Sequence, residues 1–287
     1  MIIDTHSHLN FNAYKKDLNE VIERTLQNNV WMINVGTKYE TSKQAVDLAE
    51  KYKEGVYAAI GLHPIYAAAE FQKIKTDPDE GNFLVKEEFF DKEKYKELAK
   101  SEKVIAIGEI GLDYYYRPKT KTKLEQFKEK QKQVFLQQLE LAKELNLPVI
   151  LHCRMAHQNL IEILKPKTKN QKPKINGVVH CFTGTLEDAR NYLGLGLHIG
   201  FNGIIFKLDL DKVIKEAPLD KILVETDCPY LTPLPAVALA KAGPEGYVRN
   251  EPIFIKHIIQ KIAELKEISF QEVACKTTEN ARKLFKI

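Results

Sequence analysis

Two histidines stand one residue apart near the start of the chain, directly after a short apolar run. His6 and His8 occur in the segment MIIDTHSHLN, and alternate residues of a β-strand face the same side of the sheet. The two imidazoles can therefore reach one metal ion, although two polar residues that merely close a strand would have the same spacing. Imidazole is a common metal ligand, but two of them seldom complete a site. The other ligands must come from elsewhere in the sequence.

Further side chains of metal-binding type follow other apolar runs. Five of the eight histidines and two carboxylates stand at such places: His6, His8, His63, Glu109, His152, His180 and Asp227. Without His63 the set still has four histidines and two carboxylates, more than one tetrahedral ion takes. We therefore expect two divalent ions that share Glu109, because a carboxylate has two oxygens. Mixed nitrogen and oxygen ligands accept zinc, magnesium, manganese, nickel, cobalt or iron.

The elements that must position these side chains are alternating strands and helices. Apolar runs predict eight strands, at residues 1–5, 31–35, 56–60, 104–108, 149–151, 177–179, 197–200 and 222–225. Helical periodicity falls at residues 17–28, 41–52, 124–145, 186–193, 252–265 and 270–285. This alternation predicts an α/β fold, a TIM-like (β/α)8 barrel that forms a single domain over residues 1–287; a doubly wound open sheet is the alternative. Active sites of such barrels lie where the strands end.

Seven motifs, in order and spread over nearly the whole chain, resemble the TatD family of metal-dependent hydrolases within the amidohydrolase superfamily. They are DTHSHL (4–9), GLHP (61–64), GEIGLDYY (108–115), LHCR (151–154), HCFTG (180–184), ETDCPYL (225–231) and RNEP (249–252). The resemblance implies a metal-dependent DNase on a TIM-like barrel, and it implies that His63 helps to hold a substrate phosphate. The ligand sets it implies are His6, His8, Glu109 and Asp227 around one ion and Glu109, His152 and His180 around the other.

The chemistry expected of such a site is attack by water on a phosphodiester. A divalent cation lowers the pKa of bound water to about 7, and a second cation stabilises charge on a phosphoryl oxygen. Our hypothesis is that Asp227 orients this water and accepts its proton. Arg154 is a candidate phosphate contact beside His63, with a structural salt bridge as the alternative. Glu225 shares strand parity with Asp227 and is expected beneath it, as a buried partner of a ligand.

Two basic segments differ in their expected place on the barrel. Residues 114–123, YYYRPKTKTK, follow the fourth strand and combine aromatic rings with cations, as surfaces that bind single strands do. Tyr114 and Arg117 are therefore candidate substrate contacts, with a packed loop as the alternative. The lysine-rich residues 165–174 lead from a helix into a strand, so we expect a solvated loop at the opposite end. The long segments 64–88 and 232–248 are candidate lids.

The composition is that of an ordinary globular protein. Hydrophobic residues make up 44%, charged residues 29%, and the net charge is +4, which permits nucleic acid as a partner without arguing for it. No apolar run reaches the ~18 residues that span a bilayer, and no secretory signal is evident. We expect a cytoplasmic protein with no membrane partner. Cys153, Cys181 and Cys228 each follow a candidate site residue, so strand alternation predicts buried thiols that face the helices.

The sequence therefore predicts a two-metal hydrolase of phosphodiester bonds, a DNase or exonuclease acting on the ends of single-stranded DNA. One alternative keeps the barrel and the ions but acts as a deacylase or esterase on a small molecule or an aminoacyl-tRNA. A second alternative is a non-catalytic protein that binds metal at a vestigial site. The complete six-residue ligand set favours an enzyme.

Overall fold

Eight parallel strands form one sheet in chain order in the computed structural model, which describes residues 1–71, 79–80, 85–165, 175–233 and 248–287. The strands are β1 (Ile2–Ser7), β2 (Val30–Val35), β3 (Val56–Ile60), β4 (Val104–Asp113), β5 (Val149–Arg154), β6 (Gly177–Val179), β7 (His198–Phe201) and β8 (Ile222–Val224). The chain after β8 rejoins β1, since Asp227 N donates to His6 O at 2.8 Å. The predicted TIM-like (β/α)8 barrel is confirmed, and the sheet is nearly closed rather than doubly wound.

Amphipathic helices cover the outside of this sheet. They are α1 (Leu18–Gln27), α2 (Tyr39–Ala49), α3 (Pro64–Ala67), α4 (Lys92–Leu98), α5 (Lys121–Glu144), α6 (His157–Leu164), α7 (Leu186–Gly194), α8 (Asp211–Glu216), α9 (Ile255–Lys266) and α10 (Phe270–Phe285). In α9 the buried residues Ile255, Ile258, Ile259 and Ile262 recur at the helical period. Thr185 caps the start of α7, and its hydroxyl accepts from the Asp188 N–H.

The inside of the barrel is filled with branched apolar side chains below the candidate site. Five of these residues have no more than 6% of their surface exposed: Ile3, Ile33, Ile105, Ile150 and Leu223. Leu284 and Phe285 of α10 pack into the same cluster and close the bottom of the barrel. This apolar layer lies below the end where the strands finish, which is where the candidate site residues lie.

Strands β4 and β5 run further than the sequence predicted. The prediction ended β4 at residue 108 and β5 at residue 151, but the two stay paired up to Asp113 and Arg154. A register shift between Ile107 and Ile110 allows this extension. Gly111 has φ +145°, and a Cβ there would meet His152 O at 2.0 Å. Glu109 and His152 consequently lie within strands rather than after them.

Candidate metal centre

Glu109 of β4 lies between histidines from three other strands or their ends. Its Oε1 is 2.6 Å from His152 Nδ1 and 2.7 Å from His180 Nε2. Its Oε2 is 3.5 Å from His6 Nε2. The side chain is only 6% exposed, so both carboxylate oxygens face this imidazole cluster rather than solvent.

A second group of ligand atoms surrounds Asp227, which follows β8. His6 Nε2 and His8 Nε2 are 3.1 Å apart. Asp227 Oδ1 lies 3.7 Å from the first of these nitrogens and 3.5 Å from the second. His6 thus borders both groups, and its ring stacks on His180 with 3.9 Å between the centroids.

The outer nitrogens of three of the histidines face acceptors, which orients their rings, whereas His6 Nδ1 is buried with no hydrogen-bond partner among the described residues. His8 Nδ1 donates to Val35 O at 2.8 Å, and His152 Nε2 donates to Asp113 Oδ2 at 3.1 Å. His180 Nδ1 lies 3.5 Å from Glu225 Oε1. A proton held on the outer nitrogen leaves the lone pair of the inner nitrogen for a metal. Glu225 is fully buried and faces a candidate ligand, but that ligand is His180 and not Asp227, beneath which the sequence placed it.

The loop that carries Asp227 is held by a buried carboxylate that the sequence reasoning did not single out. Asp4 accepts the Thr226 N–H at 2.9 Å and the Thr226 hydroxyl at 2.5 Å. Asp227 itself adopts φ +56°, so this backbone needs support. Burial raises the pKa of Asp4 to about 8. Its only sequence signal was its position two residues before His6, on the same face of β1.

The carboxylates of the cluster are ionised. Burial alone would raise the pKa of Glu109, but the electrostatic interactions with His180 and His63 and the contacts with His152 and His180 hold it well below its ordinary value. Burial likewise opposes ionisation of Asp227, but the contact with His8 and the interactions with His6 and His180 together outweigh it and lower the pKa of this carboxyl. Ionised carboxylates and imidazole nitrogens together are the donors that divalent transition metals take.

Three sets of these side chains have ligand atoms within 4.8 Å of one another and could hold a metal. The sets are His6, Glu109 and His180; His6, His8 and Asp227; and His63, Asp113 and His152. The first two contain five of the six ligands predicted from the sequence. The sixth, His152, contacts Glu109 directly, so the structure brings all six predicted ligands together.

His63 stands at the wall of the same cavity. It follows β3, and its Nδ1 accepts from the Ile65 N–H at 3.1 Å, so the proton resides on Nε2. That nitrogen is 3.5 Å from Glu109 Oε1. The cavity is about 550 Å³ in volume and is also lined by Asp227, Tyr116 and Arg154.

The sequence matches one protein family over almost its whole length. The model of that family, TatD related DNase, covers residues 3–286. The chain belongs to the TatD family.

Relatives and solved structures agree with this membership. The metal-dependent hydrolase YabD of Bacillus subtilis (strain 168) is 40% identical over 291 residues, which are 100% of both chains. The 3'-5' ssDNA/RNA exonuclease TatD of Erwinia tasmaniensis is 34% identical over 295 residues, again 100% of both. The crystal structure of YJJV, a TatD homologue from Escherichia coli K12, has a TM-score of 0.77 and 30% identity over 100% of this chain and 98% of that one. The predicted resemblance is confirmed, and so is the prediction of a metal-dependent hydrolase.

Of the four substrate contacts predicted for this TatD-family chain, two line the cavity and two do not. Arg154 and His63 line the cavity. Tyr114 is 4% exposed, and its ring packs 6.0 Å from that of Phe127. Arg117 is exposed but does not belong to the described residues that line the cavity. Of the three consecutive tyrosines at 114–116, it is Tyr116 that lines the cavity. Strand parity does not identify it, because Tyr115 is the one that shares the parity of Glu109 and Asp113.

Other sequence predictions meet the structure in part. Cys153 and Cys228 are buried, but Cys181 is only partly buried, its φ is +43°, and it lines the cavity, as Cys153 also does. Most of the lysine-rich run, residues 166–174, lies outside the described residues, as do residues 72–78, 81–84 and 234–247 of the two candidate lids. Among the described helices, none is long and apolar enough to cross a membrane.

Proposed function

We propose that this TatD-family hydrolase removes nucleotides from the ends of single-stranded DNA by hydrolysing phosphodiester bonds at a pair of divalent metal ions. The observation that carries the proposal is the position of the Glu109 carboxylate. One oxygen faces His152 and His180, and the other faces His6. A carboxylate between two groups of nitrogen ligands suits two ions with a shared ligand.

The ligands divide into two sets in this proposal. When bound, divalent ions lower the pKa of water and stabilise the charge that develops on phosphoryl oxygens. The chain's own part is to hold imidazole lone pairs and ionised carboxylates in a buried cluster. His6, His8, Glu109 and Asp227 would hold one ion, and Glu109, His152 and His180 the other.

Asp227 is proposed to orient the attacking water and to accept its proton. Its side chain is 14% exposed, more than that of Glu109, and it lines the cavity. The depressed pKa of its carboxyl keeps it in the form that accepts a hydrogen bond from water. His63, whose Nε2 carries the proton, and Arg154 would donate to the non-bridging oxygens of the phosphate.

Nucleic acid as the substrate class is supported by the printed name of a relative that matches this chain over the full length of both. The relative from Erwinia tasmaniensis is named a 3'-5' ssDNA/RNA exonuclease. The cavity wall of this chain carries a cation and an aromatic ring, Arg154 and Tyr116, as single-strand sites do. We also keep the predicted cytoplasmic location as part of the proposal.

End-labelled single-stranded DNA, its duplex, the matching RNA and a chromogenic carboxylic ester test this function directly. With manganese or magnesium we expect progressive shortening of the single strand, and a chelator should stop it. Asp227→Asn should lower kcat by about 10²–10⁴-fold, the usual range for a lost general base. Glu129→Gln, which changes an exposed carboxylate of α5, is the matched control. Ester hydrolysis without nucleic-acid cleavage under any divalent ion would favour the deacylase alternative and refute the proposal.

A further inference from the structure

We propose that Tyr115, Tyr116 and Arg154 form a nucleotide platform, in which Tyr116 stacks on an unpaired base and Arg154, held by Tyr115, binds the adjoining phosphate. The inference rests on the proposed function, because it states which part of a single-stranded substrate lies beside the metal centre. It assigns roles to Tyr115 and Tyr116, whereas the sequence pointed to Tyr114 and Arg117.

Arg154 is held by stacking alone. Its guanidinium carbon lies 3.5 Å from the centre of the Tyr115 ring and 5.9 Å from that of Tyr116. Within the described part of the chain, its guanidinium takes part in no salt bridge or hydrogen bond, and the residue is exposed. The salt-bridge alternative raised by the sequence therefore finds no partner there.

Arg249 shows what a structural arginine looks like in the same molecule. It also stacks on a tyrosine, 4.4 Å from the centre of Tyr14. Its guanidinium, however, donates to both oxygens of Asp17 and to Glu251. Arg154 has the stacking without the carboxylates, so its planar set of N–H donors is available to an anion in the cavity. A phosphate has the shape and charge that such a donor fork binds.

The two tyrosines are exposed rather than packed in the core, and Tyr116 is the one of the pair that lines the cavity. Tyr115 is 49% exposed and Tyr116 is 48% exposed, and their rings meet edge to face at 4.7 Å. Tyr114, in contrast, packs in the core. An exposed ring at the wall of a catalytic cavity offers a face on which any base can stack.

The platform is tied to the metal centre by one buried carboxylate. Asp113 Oδ1 accepts the Tyr115 N–H at 2.8 Å, while Oδ2 accepts from His152 Nε2 at 3.1 Å. Tyr114 N donates to Arg154 O at 2.9 Å, which joins the end of β4 to the end of β5. The platform and His152 are therefore held by the same pair of strands, so a nucleotide bound there has a fixed position relative to Glu109.

This arrangement selects unpaired ends for a physical reason. A base inside a duplex is stacked on both faces and paired at its edge, so it must leave the helix before it can lie on Tyr116. That step costs a few kcal/mol for a paired base and least for one that is already single-stranded. The platform thus favours single strands without reading the sequence of the bases.

Binding measurements separate this inference from the proposed hydrolysis. Fluorescence anisotropy of a labelled short oligothymidylate would be measured with manganese, all in the Asp227→Asn background. Tyr116→Ala should weaken binding about 5- to 150-fold, which corresponds to the ~1–3 kcal/mol of one stacked base, and Tyr116→Phe should retain the affinity. Leu136→Ala, which removes an exposed apolar side chain from α5, is the control, and melting temperatures report folding.

Removing the base tests the stacking itself. An oligomer with an abasic nucleotide at one of its ends should bind to the parent protein more weakly than the intact oligomer, by the same factor. The Tyr116→Ala variant should bind the abasic and the intact oligomer with equal affinity. Equal affinity of Tyr116→Ala and the parent, or losses that multiply when ring and base are both removed, would overturn the stacking role.

The salt dependence tests Arg154. Arg154→Met should reduce the slope of log K against log salt by about 0.7, the value for one phosphate contact of a single strand. Tyr115→Leu should have the same effect, because it removes the ring that holds Arg154. Tyr115→Phe should keep the slope, and an unchanged slope in Arg154→Met would overturn the phosphate contact. This binding pattern together with intact DNA in wild-type assays would support the platform and refute the proposed hydrolysis.

Discussion

Glu225 lies behind the metal centre and supports a candidate ligand without reaching the cavity. Its Oε1 accepts the Cys181 N–H at 2.6 Å and the Asn202 amide at 3.2 Å, and is 3.5 Å from His180 Nδ1. The carboxylate thus fixes both the backbone after β6 and the ring that points at Glu109. Such outer partners tune how strongly a histidine holds a metal.

Glu225→Gln should weaken metal binding about 10- to 100-fold, the usual effect of losing an outer partner of a ligating histidine. Glutamine keeps an acceptor for the Cys181 N–H but removes the charge that faces His180 Nδ1. Titration of the apo protein with zinc or manganese measures the effect, with Glu129→Gln as control. Unchanged affinity would mean that Glu225 serves only the backbone.

The clustering of the candidate metal ligands could be predicted from single residues, whereas the placement of the candidate substrate contacts could not. A histidine or carboxylate after an apolar run has few structural uses, so His6, His8 and Asp227 stood out. Tyrosines serve both cores and surfaces. Which of Tyr114 and Tyr116 faces the cavity depends on where β4 ends, and that is decided by its pairing with β5.

At the scale of elements, the segment before α9 clamps the loop that carries Asp227. Asn250 is fully buried, and its Nδ2 donates to Thr226 O at 2.9 Å and to Tyr230 O at 2.6 Å. Its carbonyl accepts from the Tyr14 hydroxyl at 2.5 Å. The RNEP motif was recognised in the sequence only by resemblance. Its Asn250 connects the segment that follows β8 with the segment that follows β1, where the barrel closes.

Asn250→Ala should lower the free energy of unfolding by about 2–4 kcal/mol, because two buried carbonyls lose their donor. It should also weaken metal binding, since Asp227 depends on this loop. Urea unfolding and metal titration measure the two effects. Asn28→Ala removes an exposed side chain bonded to Arg24 O and is expected to change stability by no more than about 0.5 kcal/mol. Normal metal affinity in Asn250→Ala would show that the clamp serves stability alone.

The eight strands and the six longest helices could be predicted from the sequence, but the shorter helices α3, α4, α6 and α8 and the ends of β1, β4 and β5 could not. Residues 177–179 and 56–60 were predicted with the bounds that the structure has, because apolar runs there stop at polar or turn residues. At β4, Gly108 and Gly111 resemble turn residues. In the barrel they instead allow close contact with β5, where a Cβ at Gly108 would meet Ile150 Cβ at 2.5 Å. That requirement comes from the neighbouring strand and leaves little local signal.

At the scale of the whole molecule, the barrel separates an apolar lower layer from the polar upper end. His198 is the first residue of β7, at the opposite end of the strands from the candidate metal ligands, and it is 9% exposed. Burial, followed by the charge of Lys221, lowers its pKa to about 4. The unfolded chain binds a proton there at about pH 6.5. Between these values the unfolded state takes up a proton that the native state does not, so stability falls as the pH decreases.

His198→Gln should make stability less dependent on pH in that window. From pH 7 to pH 4 the wild type should lose on the order of 2 kcal/mol more than the variant. Urea unfolding in the presence of a chelator measures this difference without contributions from bound metal. His257→Gln, at an exposed position of α9, is the control. Identical pH profiles for His198→Gln and the wild type would contradict the role of burial.

The central claim for the whole molecule is that Glu109 joins two metal groups into one nuclease site. The most direct measurement is the rate of nucleotide release from single-stranded DNA by wild type and Glu109→Ala, with metal content determined on the same samples. We predict that the wild type binds two ions and cleaves, and that chelator abolishes the cleavage. Glu109→Ala should lose bound metal and activity together while remaining folded by circular dichroism. Wild-type metal content and cleavage in Glu109→Ala would contradict the account.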